Sequence, residues 1–219
     1  MTRGMRLGRT LLLAVAFGAY LLLAHLTTAP DQPSTLGALV AVVPYMAIAF
    51  GLAVRSKHRA LALMLWTAVV VLLWRAWPLV ESRFEWIYFI QHFGAFSLLA
   101  IGFGRSLVEG AEPMITRFAR IVHGRELAPA LVRYTRRATL AWALFFVAIA
   151  ATSTLLFFAG SMQAWSLLIN LLTPILVAAM FVVEFAVRMV VLPPALRTGL
   201  ADSVRAFIHA SRGVTPPAA

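Results

Sequence analysis

Cysteine is absent from this 219-residue chain, and Asp and Glu together number only 8. Without thiols there is no disulfide, no thiolate metal site and no cysteine nucleophile. The redox compartment therefore leaves no trace in the sequence. Also missing are a Gly-x-Ser-x-Gly nucleophile elbow, a phosphate-cradling glycine loop and a pair of catalytic carboxylates. No His-x-x-x-His or Glu-x-x-His pair occurs. Glu85 and His92, seven residues apart on one helical face, are the nearest approach, and two ligands do not close a zinc site. No catalytic residue, metal or cofactor is expected on these grounds.

Charge is as scarce as sulfur: 12% of residues are charged and 62% are hydrophobic. A water-soluble globule of this length has too little interior for that much apolar surface, so the solvent for most of it is lipid. A spanning helix needs about 20 mostly apolar residues, because the hydrocarbon core is about 30 Å thick and each residue rises about 1.5 Å. Six stretches meet this at 11–28, 36–54, 60–80, 84–103, 138–158 and 165–187. Their continuous apolar character predicts an all-α polytopic membrane protein rather than a barrel of alternating strands.

The formal net charge of +11 would suggest nucleic acid in a soluble protein, but here the placement of the charge decides. Seventeen of the 19 basic residues fall before the first predicted span, in the 55–59 turn, in the 105–137 connection or after the sixth span, leaving Arg75 and Arg83 for the other side. The positive-inside rule then predicts cytoplasmic N- and C-termini, with no nucleic-acid partner. An odd number of spans would scramble this segregation. The first segment resembles a signal peptide in charge and length, but Pro30 follows the plausible cleavage position near Ala29, which predicts a retained helix.

Short turns at 27–35, 78–84 and 160–163 are predicted on the outer side. Trp74, Trp77, Trp86, Tyr88 and Trp165 are expected at the outer headgroup boundary, where indole and phenol rings partition. The 105–137 connection holds an amphipathic interfacial helix, with Pro113 at its first position, Met114, Ile115, Phe118, Ile121 and Val122 on one face, and Arg117 and Arg120 elsewhere. Residues 1–188 thus form the membrane domain. Residues 189–219 add a second amphipathic helix through Leu196, Leu200, Val204, Phe207 and Ile208, then a disordered tail.

Polar residues within spans are the candidate sites, since burying them in lipid is costly. His25, Arg75, Glu81, Glu85, Gln91 and His92 fall in the predicted outer half and could line a polar pocket. Equally, Arg75 could snorkel to Glu81 or Glu85 while the histidines bond neighbouring helices. Asn170, Thr173 and Pro174 mark a helix break, because Pro174 cannot donate to the Asn170 carbonyl. A neighbouring helix or a threonine hydroxyl is expected to satisfy the freed group. Glu184 is expected to pair with Arg137 or Arg188 at the inner end, beside Tyr134 and Arg136. Arg117, Arg120, Arg125 and Arg133 form a basic docking face for anionic lipid or an acidic partner. The pattern leaves the oligomeric state open.

One stretch carries a resemblance. Glu112-Pro113-Met114-Ile115, then Tyr134-Thr135-Arg136-Arg137-Ala138-Thr139 with Trp142, Phe145 and Phe146, followed by Trp165, Asn170, Glu184 and Arg188, resembles a family of bacterial inner-membrane proteins. Its members are often encoded beside fatty-acid-synthase-like enzymes of aryl-polyene-type pigment lipid pathways. A more distant likeness is to septation protein A. The resemblance spans 112–188 and implies a non-enzymatic accessory role in synthesis or export of an acyl or polyene lipid. An acyl carrier protein or acyl-processing enzyme would be the partner. It implies no catalytic residues. A small transporter or flippase using the outer polar residues, and a membrane enzyme with a His/Glu acid–base site, stand as alternatives.

Overall fold

The computed structural model describes residues 3–28, 34–123 and 126–196, which are helical with short connections and contain no strand. Helix α1 runs Arg3–Thr28 and α2 Thr35–Arg55. Ser34 caps α2: its Oγ accepts from the Gly37 amide at 3.1 Å, satisfying one orphan donor of the first turn. Helix α3 (Arg59–Arg75) ends five residues before the predicted limit, because Pro78 has no N–H to continue the ladder. A separate short helix, α4 (Trp77–Ser82), begins there with Pro78 in its first turn. Helix α5 covers Phe84–Arg105.

The predicted interfacial helix exists as α6, Met114–His123. Pro113 lies just before it, and its carbonyl accepts from Arg117 N at 3.0 Å. Helix α7 (Pro129–Ala159) is 31 residues long and starts nine residues before the predicted span, with Pro129 at its first position. The last helical stretch, Met162–Val191, is continuous but not uniform. It comprises α8 (Met162–Leu167), a π turn (Leu168–Leu172) and α9 (Thr173–Val191). Pro193 and Pro194 follow, and a 3₁₀ turn at Pro194–Leu196 closes the described chain. The second predicted amphipathic helix and the tail lie outside the described residues, apart from Leu196.

Four of these helical stretches are long and apolar enough to cross a membrane: Thr35–Arg55, Phe84–Arg105, Pro129–Ala159 and Met162–Val191. Their burial pattern is the reverse of that of a soluble protein. Leu98, Val182 and Val190 are 72%, 67% and 83% exposed, whereas Thr139, Ser153 and Ser166 are fully buried. Lipid tails solvate the former at no cost, while the hydroxyls require partners from neighbouring helices.

The chain divides into two compact units, Met1–Phe93 with Thr152–Pro174, and Gly94–Ala151 with the described residues from Ile175 onward. In the first, Ala24, Ala38 and Ala41 are small enough to admit Phe84, Tyr88, Phe89, Trp165 and Ile169 into one core. Gly37 belongs to the same approach, since a Cβ there would sit 2.7 Å from the Phe84 ring. Trp165 departs from the sequence expectation of an interfacial anchor. It is wholly buried, meets Phe157 edge-on with ring centroids 4.9 Å apart and donates from Nε1 to Ser153 Oγ at 3.1 Å. Tyr88 is likewise buried, and of the expected boundary ring Trp74 and Trp86 are the exposed members.

The second unit has its own core of Leu131, Tyr134, Ala138 and Leu192, against which Ile115 and Ala119 of α6 pack. Polar contacts fix α6 to α7. Thr116 and Thr135 hydroxyls lie 2.7 Å apart, and the Ile115 amide donates to Thr139 Oγ1 at 3.2 Å. The buried face of α6 is thus Ile115, Thr116 and Ala119. Phe118 and Ile121, expected on the apolar face of an interfacial helix, are exposed at 42% and 37%.

Candidate functional site

Two polar constellations emerge, one in each unit. In the first, α8, the π turn and the start of α9 bring Ser166, Asn170 and Thr173 onto one side, at spacings of four and three residues. His25 Nδ1 of α1 lies 2.9 Å from Ser166 Oγ. The Asn170 amide donates to Ser166 Oγ at 3.2 Å and to the Ser166 carbonyl at 3.1 Å. Thr173 donates its hydroxyl to the Leu168 carbonyl at 2.8 Å, which already accepts the Thr173 backbone N–H. His92 Nε2 lies 3.2 Å from the Thr173 hydroxyl oxygen.

The break anticipated at Pro174 takes the form of this π turn. The Thr173 hydroxyl bonds the Leu168 carbonyl, which also takes the Thr173 amide, and not the Asn170 carbonyl expected to be freed.

The other residues of the proposed outer pocket are dispersed among different partners. Gln91 donates to the Ala41 carbonyl of α2 at 3.4 Å. Glu81 accepts from the Thr35 hydroxyl at the start of α2, where the helix dipole favours a carboxylate. Arg75 is exposed and forms no ion pair with Glu81 or Glu85 among the described residues. The Tyr88 hydroxyl is buried without a hydrogen-bond partner among the described residues.

The second constellation lies between α7 and α9. Glu184 takes Arg188, one of its two expected partners: Nη2 lies 2.8 Å from both carboxylate oxygens and Nε 3.2 Å from Oε1. Tyr134 completes the set, donating to Glu184 Oε1 at 2.8 Å, with the Glu184 carbonyl 3.0 Å away. Arg136 instead donates to the Leu107 carbonyl at 3.0 Å.

Tyr134 and Glu184 of this triad line a groove of about 450 Å³, together with Ala130, Ala138, Ala141, Met180, Val183 and Val187 and with Arg133 and Arg137. Both arginines are exposed, and neither pairs with a carboxylate among the described residues. On the proposed basic face, Arg120 is held by Glu112 at 2.7 Å, Arg117 is exposed, and Arg125 lies outside the described residues.

Sequence reasoning singled out Glu184 and the arginines but gave Tyr134, Ser166 and Ser153 no role. Ser166 carried a usable signal, because it shares helical spacing with Asn170 and Thr173. No group of three or more His, Asp or Glu residues able to hold a metal occurs among the described residues. No family model matches the chain, and no match was found among curated proteins or among solved structures.

Proposed function

We propose that this chain is a non-enzymatic accessory protein of a bacterial inner membrane that serves the synthesis or export of an acyl or polyene lipid. Six spans with both termini in the cytoplasm complete the topology, with α1 and α3 joining the four long apolar stretches. Arginine segregation supports that orientation and puts the mouth of the α7–α9 groove on the cytoplasmic side.

The observation that carries the function is the groove itself. Its apolar floor suits a hydrocarbon chain, while Arg188 and Tyr134 occupy Glu184 and leave Arg133 and Arg137 cationic at its edge. Arg117 extends the basic surface toward an acidic carrier protein or anionic lipid. The exposed Phe118 and Ile121 suit α6 to lie in the headgroup layer. Deleting the gene and profiling extracted lipids tests the role. A changed acyl or pigment-lipid profile is expected, and an unchanged one counts against it.

A second reading, a small transporter or flippase, is favoured by the buried string of His25, Ser166, Asn170, Thr173 and His92. Polar groups in a lipid-embedded core mark substrate pathways in other transporters. Replacing His92 by Phe should then abolish flux in proteoliposomes, while full flux removes this reading.

A further inference from the structure

We propose that the α7–α9 groove is a binding site for one anionic phospholipid, its phosphate held by Arg133 and Arg137 and one acyl chain lying along the apolar floor. Lining residues recur on α7 at 130, 133, 134, 137, 138 and 141, and on α9 at 180, 183, 184, 187 and 191. Each set is a single helical face. The helices run antiparallel here, since Tyr134 meets Glu184 while Trp142 meets Phe181, with ring centroids 4.6 Å apart. Arg133, Tyr134 and Arg137 therefore face Glu184 in the middle of the trough, with Ala138, Ala141, Met180 and Val183 to one side and Ala130, Val191 and Leu192 to the other. Arg133 to Ala141 spans about 12 Å at the usual helical rise. A position for a charged head thus adjoins an apolar run in one trough.

Charge complementarity selects the occupant. Arg133 and Arg137 stand four residues apart, where like charges repel, and an anion between them relieves that repulsion. Glu184 would repel the same anion were it free, but its carboxylate is engaged by Arg188 and Tyr134. Guanidinium groups suit phosphate, which they can bind through paired N–H donors. Ala130, Ala138 and Ala141 create the room, and filling Ala141 narrows the apolar run that the acyl chain would occupy.

This assignment rests on the lipid-related role proposed above, yet the two fail separately. The lipid profile of a deletion strain tests the role, and direct lipid binding tests the groove. The purified full chain in mild detergent is titrated with phosphatidylglycerol or phosphatidylcholine of identical chains and read by native mass spectrometry. One phosphatidylglycerol is expected to be retained in preference to phosphatidylcholine. With about fivefold in affinity per arginine, R133Q/R137Q should lose roughly thirtyfold for phosphatidylglycerol and with it the preference. R133K/R137K should keep a preference, which separates loss of charge from loss of fold. Ala141→Phe, at an exposed position, should weaken both lipids, and R59Q, outside the groove, should change neither. Equal retention of the two lipids by the wild type would overturn the proposal. So would an R59Q effect equal to that of the groove pair, or lipid binding indifferent to Ala141→Phe.

Discussion

Replacing Arg188 by Met tests the energetic core of the second unit. The guanidinium and carboxylate of the Arg188–Glu184 pair are only 19% and 10% exposed, and Nη2 approaches both oxygens at 2.8 Å. With charge centres about 4 Å apart and an effective dielectric of about 20, the attraction is about 4 kcal/mol. Desolvation of both ions takes back much of that in the intact pair. Removing one partner is different, because Glu184 then stays buried with a single neutral donor, Tyr134. The expected loss for Arg188→Met is about 3 kcal/mol, the lower end of the range for breaking a buried pair. Glu184→Gln/Arg188→Met should recover most of it, giving a coupling of about 2 kcal/mol in a double-mutant cycle. Reversible unfolding in mixed micelles, followed by tryptophan fluorescence, reads these values. A single-variant loss below about 0.5 kcal/mol with additive behaviour would refute the reasoning.

Other consequences follow from the same contacts. Arg188→Met also frees the Glu184 carboxylate beside the groove, so retention of phosphatidylglycerol should fall in native mass spectrometry although neither Arg133 nor Arg137 is altered. Trp165→Phe leaves the buried Ser153 hydroxyl without its indole donor. It should cost about 1–3 kcal/mol in the micelle titration, whereas W165F/S153A should cost less than W165F alone. Thr173→Val removes the hydroxyl that links His92 to the Leu168 carbonyl. Faster amide exchange confined to the π turn and neighbouring residues is expected, and an unchanged exchange pattern would show the hydroxyl to be dispensable. Gly37→Leu drives a side chain into the Phe84 ring and should lower the thermal midpoint, with F84A restoring part of the loss.

The helices were legible where hydropathy was the dominant force. Four of the six predicted apolar segments lie in helices long and apolar enough to cross a membrane, where a lipid-embedded backbone must satisfy itself internally. Boundaries failed where a local term intervened. Pro78 divided the third segment, and Pro129 with the Leu131, Tyr134 and Leu192 core extended α7 beyond its apolar stretch. Aromatic placement was misjudged because composition cannot tell an indole at the headgroups from one bonded inside. Trp165 is buried because Ser153 lies within two turns of the end of α7, in reach across the hairpin. In α6, hydropathy could not reveal that Thr116 faces inward, which it does because it has a hydroxyl partner on α7. Glu184 and Arg188 were readable from their spacing of four, whereas the groove was not, because it depends on which face of α7 meets α9.

The chain contains no cysteine, so single cysteines introduced at Ser34, Ser56, Glu109 and Ser161 report topology against a blank background. With a membrane-impermeant maleimide on intact cells, Ser34→Cys and Ser161→Cys should label at once. Ser56→Cys and Glu109→Cys should label only after the inner membrane is permeabilised. Labelling of Glu109→Cys in intact cells would put the arginine-rich connection and the groove mouth on the wrong side and contradict the lipid-binding orientation proposed for this protein.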